Sequence, residues 1–263
     1  ILVTGAKGFV GRNLVSQLHN IQSGKAKNYV ISGEELKIFE YDIDSDGLEL
    51  WKSYKNVPLL HSSRGNTLFY ASYYPAVSDL GYRNFGFASV LLDTLKKYGN
   101  KCPVMISSSS QAILNNPYGE SKLAGEELMF DYAGETGAKV LVYRFPNVFG
   151  KWCRPNYNSA IATFCNNIAN DLPIQLNDPS VVMNLVYVDD VVNELIAALS
   201  GMEHYDGDYC TVPVVHTITL GAIVDLLYSF KESRNNWSVP DMGDAFTKKL
   251  YSTYLSYLPA DKF

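Results

Sequence analysis

Apolar residues follow two patterns that alternate along the first half of the chain. Short continuous apolar runs are typical of buried strands, and apolar residues spaced three or four positions apart are typical of helices. The first such pair is the run 1–3, followed by helical spacing from Phe9 to Leu18. The later predicted strands cover 36–41, 66–71, 103–106 and 139–143, and the later predicted helices cover 48–54, 87–97 and 118–136. Because strands that alternate with helices form parallel sheets with right-handed crossovers, we predict an α/β fold with a doubly wound parallel sheet.

The pattern becomes less regular after residue 150. The predicted elements are a polar loop at 151–158, helices at 159–170, 190–199, 218–230 and 244–257, and a short strand at 185–188. We therefore predict two domains, 1–150 with the sheet and 151–263 as a smaller C-terminal lobe, with a segment near 185–200 that returns to the first domain.

Three glycines separate the first predicted strand from the first predicted helix. Gly5 can adopt dihedrals that other residues avoid, Gly8 lets the backbone approach a pyrophosphate, and Gly11 lets the helix pack tightly on its strand. The start of such a helix presents N–H groups and a partial positive charge to phosphates. An ordinary strand–helix turn is the alternative, but three glycines in this context indicate a dinucleotide site. We therefore expect a Rossmann-like, dinucleotide-binding first domain.

A carboxylate at the end of the second predicted strand bears on which dinucleotide binds. Asp42 lies where an acidic residue binds the ribose hydroxyls of NAD and repels the 2′-phosphate of NADP. Lys7 and Arg12 are cations that could pair with that phosphate. The polar stretch 21–35, which we expect to be a surface insertion, puts Asp42 farther from the glycines than the usual roughly 20 residues. These residues leave the choice between NADPH and NADH open.

Tyr118 and Lys122 are four positions apart on a predicted helix, so they share a face. A nearby ammonium lowers the pKa of a phenol from its reference of about 10 toward neutral pH. Tyr118 could then act as a general acid for a carbonyl that is being reduced, or as a base for an alcohol. In a chain with 19 tyrosines about one such pair is expected by chance, so its significance depends on the dinucleotide site.

A run of serines follows the predicted strand 103–106. A hydroxyl there could hydrogen-bond the developing alkoxide of a carbonyl substrate and fix its orientation. Serine runs also simply form loops at the ends of strands. The residues alone do not choose among Ser107 to Ser110.

Composition and charge exclude several classes of protein. The chain of 263 residues has a net charge of -5 and no basic run, which argues against a nucleic-acid binder. No apolar stretch approaches the roughly 18 residues of a membrane span. The 4 cysteines and 4 histidines are scattered, without the spacing of a disulfide framework or a metal site. Because the glycine motif begins at the first residues, we expect no signal peptide, a natural start a few residues upstream and a cytoplasmic protein.

Five motifs, in this order and spacing, resemble the extended short-chain dehydrogenase/reductase family. They are Thr4-Gly-x-x-Gly-x-x-Gly11, the serines 107–110, Tyr118-x-x-x-Lys122, Arg144-Phe-Pro-Asn-Val-Phe-Gly150 and Tyr187-Val-Asp-Asp190. The segments 116–122, 149–159 and 250–259 further resemble the reductase domain of bifunctional capsular polysaccharide enzymes of the UDP-N-acetyl-L-fucosamine pathway. That resemblance implies NADPH-dependent reduction of the C4 ketone of a UDP-2-acetamido-2,6-dideoxy-hexos-4-ulose, for capsule or O-antigen precursors. It also implies a C-terminal cupin domain, which this chain lacks, so we expect the chain to be a fragment of a longer protein.

The resemblance assigns roles to residues by position. It implies that Ser109 orients the carbonyl, with Ser108 and Ser110 as alternatives, that Tyr118 donates the proton and that Lys122 binds the nicotinamide ribose. The cofactor-binding candidates are Gly5, Lys7, Gly8, Phe9, Val10, Arg12, Asp42, Ala71, Tyr118 and Lys122. The candidates for binding the UDP-sugar, in the smaller lobe, are Asn147, Lys151, Arg154, Asn156 and Asn158. By analogy with relatives we expect a homodimer.

Besides the insertion at 21–35, two positions depart from the family pattern, and the role of Asp189 stays open. Asp42 would repel the 2′-phosphate of NADPH, although the resemblance alone slightly favours NADPH as the cofactor. Ala71-Ser72 replaces the usual Ala-Gly, so that a serine lies where the backbone runs close to the cofactor. Asp189 suits a helix N-cap as well as it suits a ligand.

Two other functions are compatible with parts of this pattern. A UDP-sugar epimerase uses the same serine, tyrosine and lysine but holds NAD tightly and returns the hydride. A 4,6-dehydratase is disfavoured, because Ser110-Gln111 lie where related dehydratases have an Asp-Glu pair. A non-catalytic nucleotide sensor with this fold commonly lacks the tyrosine–lysine pair, which this chain has.

Overall fold

A computed structural model describes residues 1–29, 31, 36–42, 45, 69–71 and 80–262. The chain divides into two compact units. The first comprises Ile1–Phe145 and Val192–Thr211, and the second comprises Pro146–Val191 and Val212–Phe263.

Strands and helices are numbered here in chain order over the described residues. The strands are β1 (Leu2–Thr4), β2 (Phe39–Tyr41), β3 (Phe69–Ala71), β4 (Val104–Ser109), β5 (Val140–Phe145), β6 (Asn147–Phe149), β7 (Val182–Tyr187), β8 (His204–Asp206), β9 (Tyr209–Thr211) and β10 (His216–Thr219). The helices are α1 (Phe9–Gln22), α2 (Leu80–Lys97), α3 (Pro117–Thr136), α4 (Ala160–Ala169), α5 (Val188–Leu199), α6 (Leu220–Asn236) and α7 (Ala245–Leu255). Two 3₁₀ helices cover Ser110–Ile113 and Ala260–Lys262.

The first unit is built on a sheet with the strand order β2-β1-β3-β4-β5-β9-β8. All neighbours in it are parallel except the β8–β9 hairpin. Its core combines Leu2 of β1, Val104 of β4 and Val142 of β5 with Leu91 of α2 and Met129 of α3. Burial of apolar side chains on both sides of such strands explains their continuous apolar runs. The predicted parallel α/β fold is confirmed.

The second unit contains a three-stranded sheet in the order β10-β7-β6. Strand β7 pairs parallel with β6 and antiparallel with β10. Helices α4, α6 and α7 pack against one another, with Phe230, Leu250 and Tyr254 almost completely buried.

Several element boundaries differ from the predicted ones. The predicted strand 36–41 begins only at Phe39, and α2 begins at Leu80 rather than at residue 87. The predicted helix 48–54 and part of the predicted insertion 21–35 lie outside the described residues. The hairpin of β8 and β9 was not predicted, although its two-residue turn Gly207-Asp208 has a glycine at the first position, with φ 61°, as hairpin turns favour.

Candidate functional site

The glycine loop between β1 and α1 is tightly closed. Gly5 has φ 66°, a left-handed conformation that side chains rarely adopt, and the N–H of Gly8 donates to the Gly5 oxygen at 2.9 Å. A Cβ added at Gly11 would lie 2.1 Å from the same Gly5 oxygen. The first turn of α1 therefore packs directly on the loop, which brings the N-terminus of the helix to the end of β1.

The N-terminus of α1 has the chemistry of an anion site. Among the described residues no side chain caps this helix, and its first turn contains no acidic residue. The side chains of Phe9 and Val10 are buried in the core, so these two predicted cofactor residues would contribute backbone N–H groups rather than side chains. Backbone donors and the positive end of the helix dipole suit the pyrophosphate of a dinucleotide. The residues present therefore fit an NAD-type cofactor.

The end of β2 is joined to the glycine loop. The N–H of Lys7 donates to Oδ2 of Asp42 at 2.7 Å, and the N–H of Ala6 donates to the Tyr41 oxygen at 3.2 Å. The N–H of Asp42 in turn donates to Oγ of Ser45 at 2.9 Å. The loop and the Asp42 carboxylate thus form one polar edge.

Ala71 reaches the same edge from the other side of β1. In the parallel register, Thr4 of β1 lies opposite Tyr41 of β2 and opposite Ala71 of β3. The neighbouring Ser72 lies outside the described residues. The structure therefore brings the predicted residues of the loop, Asp42 and Ala71 to adjacent strand ends.

Tyr118 lies in the first turn of α3, and local signals set where that helix begins. The Asn116 side chain accepts from the Gly119 N–H at 2.8 Å, and Pro117 occupies the first helical position. A Cβ added at Gly119 would lie 2.2 Å from the Leu114 oxygen, so the helix start packs closely on the segment before it. These contacts fix the position of Tyr118.

Lys122 shares a face of α3 with Tyr118. Its Nζ lies 5.7 Å from the centre of the Tyr118 ring. Burial lowers the pKa of Lys122 to about 8, because removal from water disfavours the ammonium, and the charge of Glu126 opposes this effect. The structure therefore brings Tyr118 and Lys122 together, and Lys122 loses its proton more readily than an ordinary lysine.

The structure distinguishes the serines at the end of β4. Ser108 is buried and donates to Oε1 of Glu126 at 2.5 Å. Ser109 is partly exposed, and its Oγ accepts from the Gln111 N–H at 3.1 Å at the start of the 3₁₀ helix. Ser110 is exposed within that 3₁₀ helix.

The sequence did not predict the buried ion pair between Glu126 and Arg144. Glu126 of α3 accepts from Nε of Arg144 at 3.0 Å and from its terminal nitrogen at 2.5 Å. The Arg144 guanidinium lies 3.5 Å from the centre of the Tyr209 ring. The available signal was spacing, since Glu126 follows Lys122 by four positions on the same helix.

The predicted sugar-binding residues all belong to the second unit. Asn147 donates to the Asn184 oxygen at 3.4 Å, and Lys151 forms an ion pair with Asp189 at 3.2 Å. The Arg154 guanidinium lies 5.6 Å from the Tyr157 ring centre. Asp189 is thus a partner of Lys151 in the first turn of α5.

The loop that carries these residues is held in place at both ends. Asn156 has φ 55°, and its N–H donates to Oγ1 of Thr163 at 2.9 Å, while Asn158 is exposed. The Tyr257 hydroxyl donates to the Cys153 oxygen. Exposed amide and cationic side chains on a fixed loop can hold phosphates and hydroxyls.

Two features are absent from the described ranges. None of the helices there is long and apolar enough to cross a membrane. No group of three or more His, Cys, Asp or Glu side chains there could hold a metal ion.

Comparison with known proteins places this geometry in context. A curated relative, the UDP-2-acetamido-2,6-beta-L-arabino-hexul-4-ose reductase of Pseudomonas aeruginosa, is 36% identical over 263 residues, which is 100% of this chain and 66% of the relative. The crystal structure of the capsular polysaccharide assembling protein CapF from Staphylococcus aureus matches with 42% identity and a TM-score of 0.82, over 99% of this chain and 65% of CapF. The chain thus spans slightly less than two thirds of the length of both proteins.

A more distant structure shares the fold alone. The UDP-glucuronic acid 4-epimerase from Bacillus cereus, in complex with NAD, has 19% identity and a TM-score of 0.71, over 97% of each chain. The family model described as "NAD dependent epimerase/dehydratase family" matches residues 76–209, slightly more than half of the chain. The chain therefore belongs to the NAD dependent epimerase/dehydratase family.

Proposed function

We propose that this chain is the reductase part of a longer nucleotide-sugar enzyme. It reduces the C4 ketone of a UDP-2-acetamido-2,6-dideoxy-hexos-4-ulose to an alcohol, in the synthesis of capsular or O-antigen polysaccharide precursors. The observation that carries the proposal is the Tyr118–Lys122 face of α3, in the same unit as a loop that fits a dinucleotide. The Pseudomonas relative, named a reductase of a 4-keto UDP-sugar, supports this substrate class.

The chain's own residues supply the proton and the polarisation of the ketone. When bound, a reduced nicotinamide dinucleotide would supply the hydride for the carbonyl carbon. Tyr118 donates its hydroxyl proton to the carbonyl oxygen, so that hydride and proton together convert the ketone to an alcohol. The Lys122 ammonium, with its Nζ 5.7 Å from the Tyr118 ring centre, stabilises the negative charge that Tyr118 takes on as it gives up this proton.

Ser109 is the serine that we assign to the carbonyl oxygen. A hydroxyl that donates to this oxygen stabilises the negative charge that develops there. Ser108 is committed to Glu126 at 2.5 Å, and this contact supports Ser109 over Ser108. Ser109 lies at the end of β4, partly exposed, where its hydroxyl can turn toward a substrate.

For the cofactor we propose a nicotinamide dinucleotide, with NADH preferred. The Asp42 carboxylate accepts from the glycine loop and so lies at the adenosine side of a bound dinucleotide. A 2′-phosphate near a carboxylate meets a like charge, which lowers affinity. The resemblance to the capsular enzymes favours NADPH, with Lys7 and Arg12 as the phosphate partners.

For the UDP-sugar we propose the polar residues of the second unit as ligands. Lys151 and Arg154 carry the positive charge that a diphosphate requires, and Arg154 is exposed. Asn147, Asn156 and Asn158 offer amide donors and acceptors for sugar hydroxyls and the acetamido group.

The test uses a UDP-4-keto-6-deoxy-N-acetylhexosamine as substrate with NADH or NADPH. We expect one reduced nicotinamide to be consumed for each ketone converted to an alcohol, measured by its absorbance and by NMR of the product. Conversion of UDP-sugar epimers without net oxidation of added cofactor would indicate an epimerase instead. Cofactor binding without any turnover, unchanged in Tyr118→Phe, would indicate a non-catalytic sensor.

A further inference from the structure

Glu126 connects α3 with the strands β4 and β5 of the first unit, near the groups that we propose for catalysis. It lies on α3 and contacts Ser108 of β4 and Arg144 of β5, and Ser108 lies opposite Arg144 in the strand register. We infer that Glu126 is a positioning residue that holds the Ser109 end of β4 against α3 and fixes a negative charge one helical turn from Lys122. This inference rests on the proposed roles of Ser109, Tyr118 and Lys122.

Because Glu126 is buried, its negative charge needs specific partners in place of water. Its side chain is 1% exposed, and that of Arg144 is 20% exposed. A buried carboxylate is costly unless it is paired and hydrogen-bonded, and removal of one partner is strongly destabilising. Both carboxylate oxygens are engaged, Oε1 by Ser108 and both by Arg144. These contacts therefore hold the carboxylate, and with it the negative charge, in one position.

The position of this charge matters for Lys122. Residues four apart on a helix are neighbours on one face, so Tyr118, Lys122 and Glu126 form a continuous row. Burial lowers the pKa of Lys122, and the Glu126 charge raises it in partial compensation. Within this row Tyr118 and Lys122 are the titratable groups beside Glu126, and the same helix also carries Glu120, Glu127, Asp131, Tyr132 and Glu135. From the sheet, Arg144 of β5 contacts Glu126, and Tyr209 of β9 lies against the Arg144 guanidinium.

These neighbours determine in which direction the loss of the Glu126 charge shifts the pKa of Lys122. Without the carboxylate, Lys122 loses its attractive partner, and the positive charge of Arg144 is no longer balanced. Both changes disfavour the ammonium, so the pKa of Lys122 falls further below its ordinary value. Lys122 then becomes neutral at a lower pH, and it no longer favours the phenolate form of Tyr118 there.

Through Ser108, Glu126 also restrains the end of β4. The hydrogen bond from the Ser108 hydroxyl to Glu126 anchors the strand one residue before Ser109, whose side chain caps the 3₁₀ helix. Loss of this anchor frees the segment that presents Ser109.

The decisive variant is Glu126→Gln, with Glu127→Gln as the matched control. The glutamine side chain keeps an oxygen that can accept from Ser108 and Arg144, but it removes the charge. Glu127 is the next residue on the same helix and is exposed, so its replacement changes the net charge equally and leaves the buried pair intact. The readout is competitive labelling of amines across pH, with the extent at Lys122 measured by peptide mass spectrometry. This readout needs no catalysis.

We expect the labelling midpoint of Lys122 to fall by about one pH unit in Glu126→Gln and to stay unchanged in Glu127→Gln. The alkaline limb of the kcat profile should move down by a similar amount. A folded Glu126→Gln protein with the original midpoint would overturn the inference. If Glu126→Gln does not fold, Glu126→Asp serves, because the receding carboxylate should lower the midpoint by a smaller amount, and an unchanged midpoint there also contradicts the inference.

The two proposals fail in different ways. A shifted midpoint in a protein that reduces no ketosugar supports the role of Glu126 and contradicts the proposed function. Reductase activity with an unshifted midpoint contradicts only the role of Glu126.

Discussion

The backbone N–H of Lys7 donates to Oδ2 of Asp42 at 2.7 Å, although 35 residues separate them in sequence. This bond fixes a negative charge beside the loop that fits the dinucleotide phosphates. If a dinucleotide binds as proposed, its 2′-phosphate would approach this carboxylate and meet a like charge.

Replacement of Asp42 by asparagine is therefore expected to change cofactor preference. The amide keeps an oxygen for the Lys7 N–H and removes the like charge that a 2′-phosphate meets. The Kd for NADPH should fall about tenfold relative to the Kd for NADH, measured by fluorescence titration of each reduced cofactor. The control is Glu40→Gln, an exposed acid of β2 two residues before Asp42. An NADPH preference in the parent protein that Asp42→Asn leaves unchanged would show that Asp42 does not set the choice.

Removal of the Tyr118 hydroxyl is expected to abolish turnover and leave cofactor binding intact. General acid catalysis contributes about 10²–10⁴-fold, so kcat of Tyr118→Phe should drop by at least about 100-fold with the 4-keto UDP-sugar. Tyr98→Phe, at a half-exposed tyrosine in the same unit, controls for the loss of a phenol. Full activity in Tyr118→Phe would rule out this residue as the proton donor.

Lys122→Met is expected to stabilise the protein at neutral pH while it inactivates the enzyme. Burial of the ammonium lowers the pKa of Lys122 to about 8, so below that pH the folded state bears the cost of a poorly solvated charge. The unfolded lysine binds its proton up to its ordinary pKa of about 10.4, and the free energy of unfolding of the parent therefore rises with pH between about 8 and 10.4. Methionine has no such cost.

The measurement is urea denaturation of both proteins at several pH values. At pH 7 the variant should be more stable by about 1–3 kcal/mol, and this difference should vanish as the pH approaches 10.4. Equal stability at pH 7, or a difference that grows with pH, would contradict a buried ammonium.

The glycine loop gives a prediction with an internal control. Gly11→Ala puts a methyl group 2.1 Å from the Gly5 oxygen, and the backbone must shift to accept it. The Kd for the cofactor should rise at least about tenfold, and the urea midpoint should fall. Gly134→Ala, with nothing within 4 Å of its new Cβ near the end of α3, should instead raise stability by about 0.5–1 kcal/mol. Similar cofactor affinity in both variants would argue against close packing of the loop as the basis of binding.

The sequence was informative where the local pattern itself imposes the structure. Leu2, Val104 and Val142 are buried within the sheet of the first unit, and each lies in a continuous apolar run. The start of α3 was nearly correct because Pro117 has a strong positional preference at helix starts. Similarly, the positive φ of Gly5 is a requirement that few other residues meet.

The buried pair of Glu126 and Arg144 could not be predicted in the same way. A glutamate in a helix is ordinarily a solvent-facing residue, and only Ser108 and Arg144, which come from two different strands, make this one an internal charge. Strand β7 also begins at Val182, three residues before the predicted strand, with its first residues exposed. An exposed strand end lacks the apolar run on which the prediction depended.

The chain passes between its two units three times, after Phe145, after Val191 and after Thr211. Each unit is therefore assembled from separated stretches of sequence, and no single cleavage releases either one whole. Expression of the first unit alone would require rejoining residue 145 to residue 192 with a new linker. A gene for either half cannot be obtained by simple truncation, so the two units are expected to be inherited, exchanged and lost together.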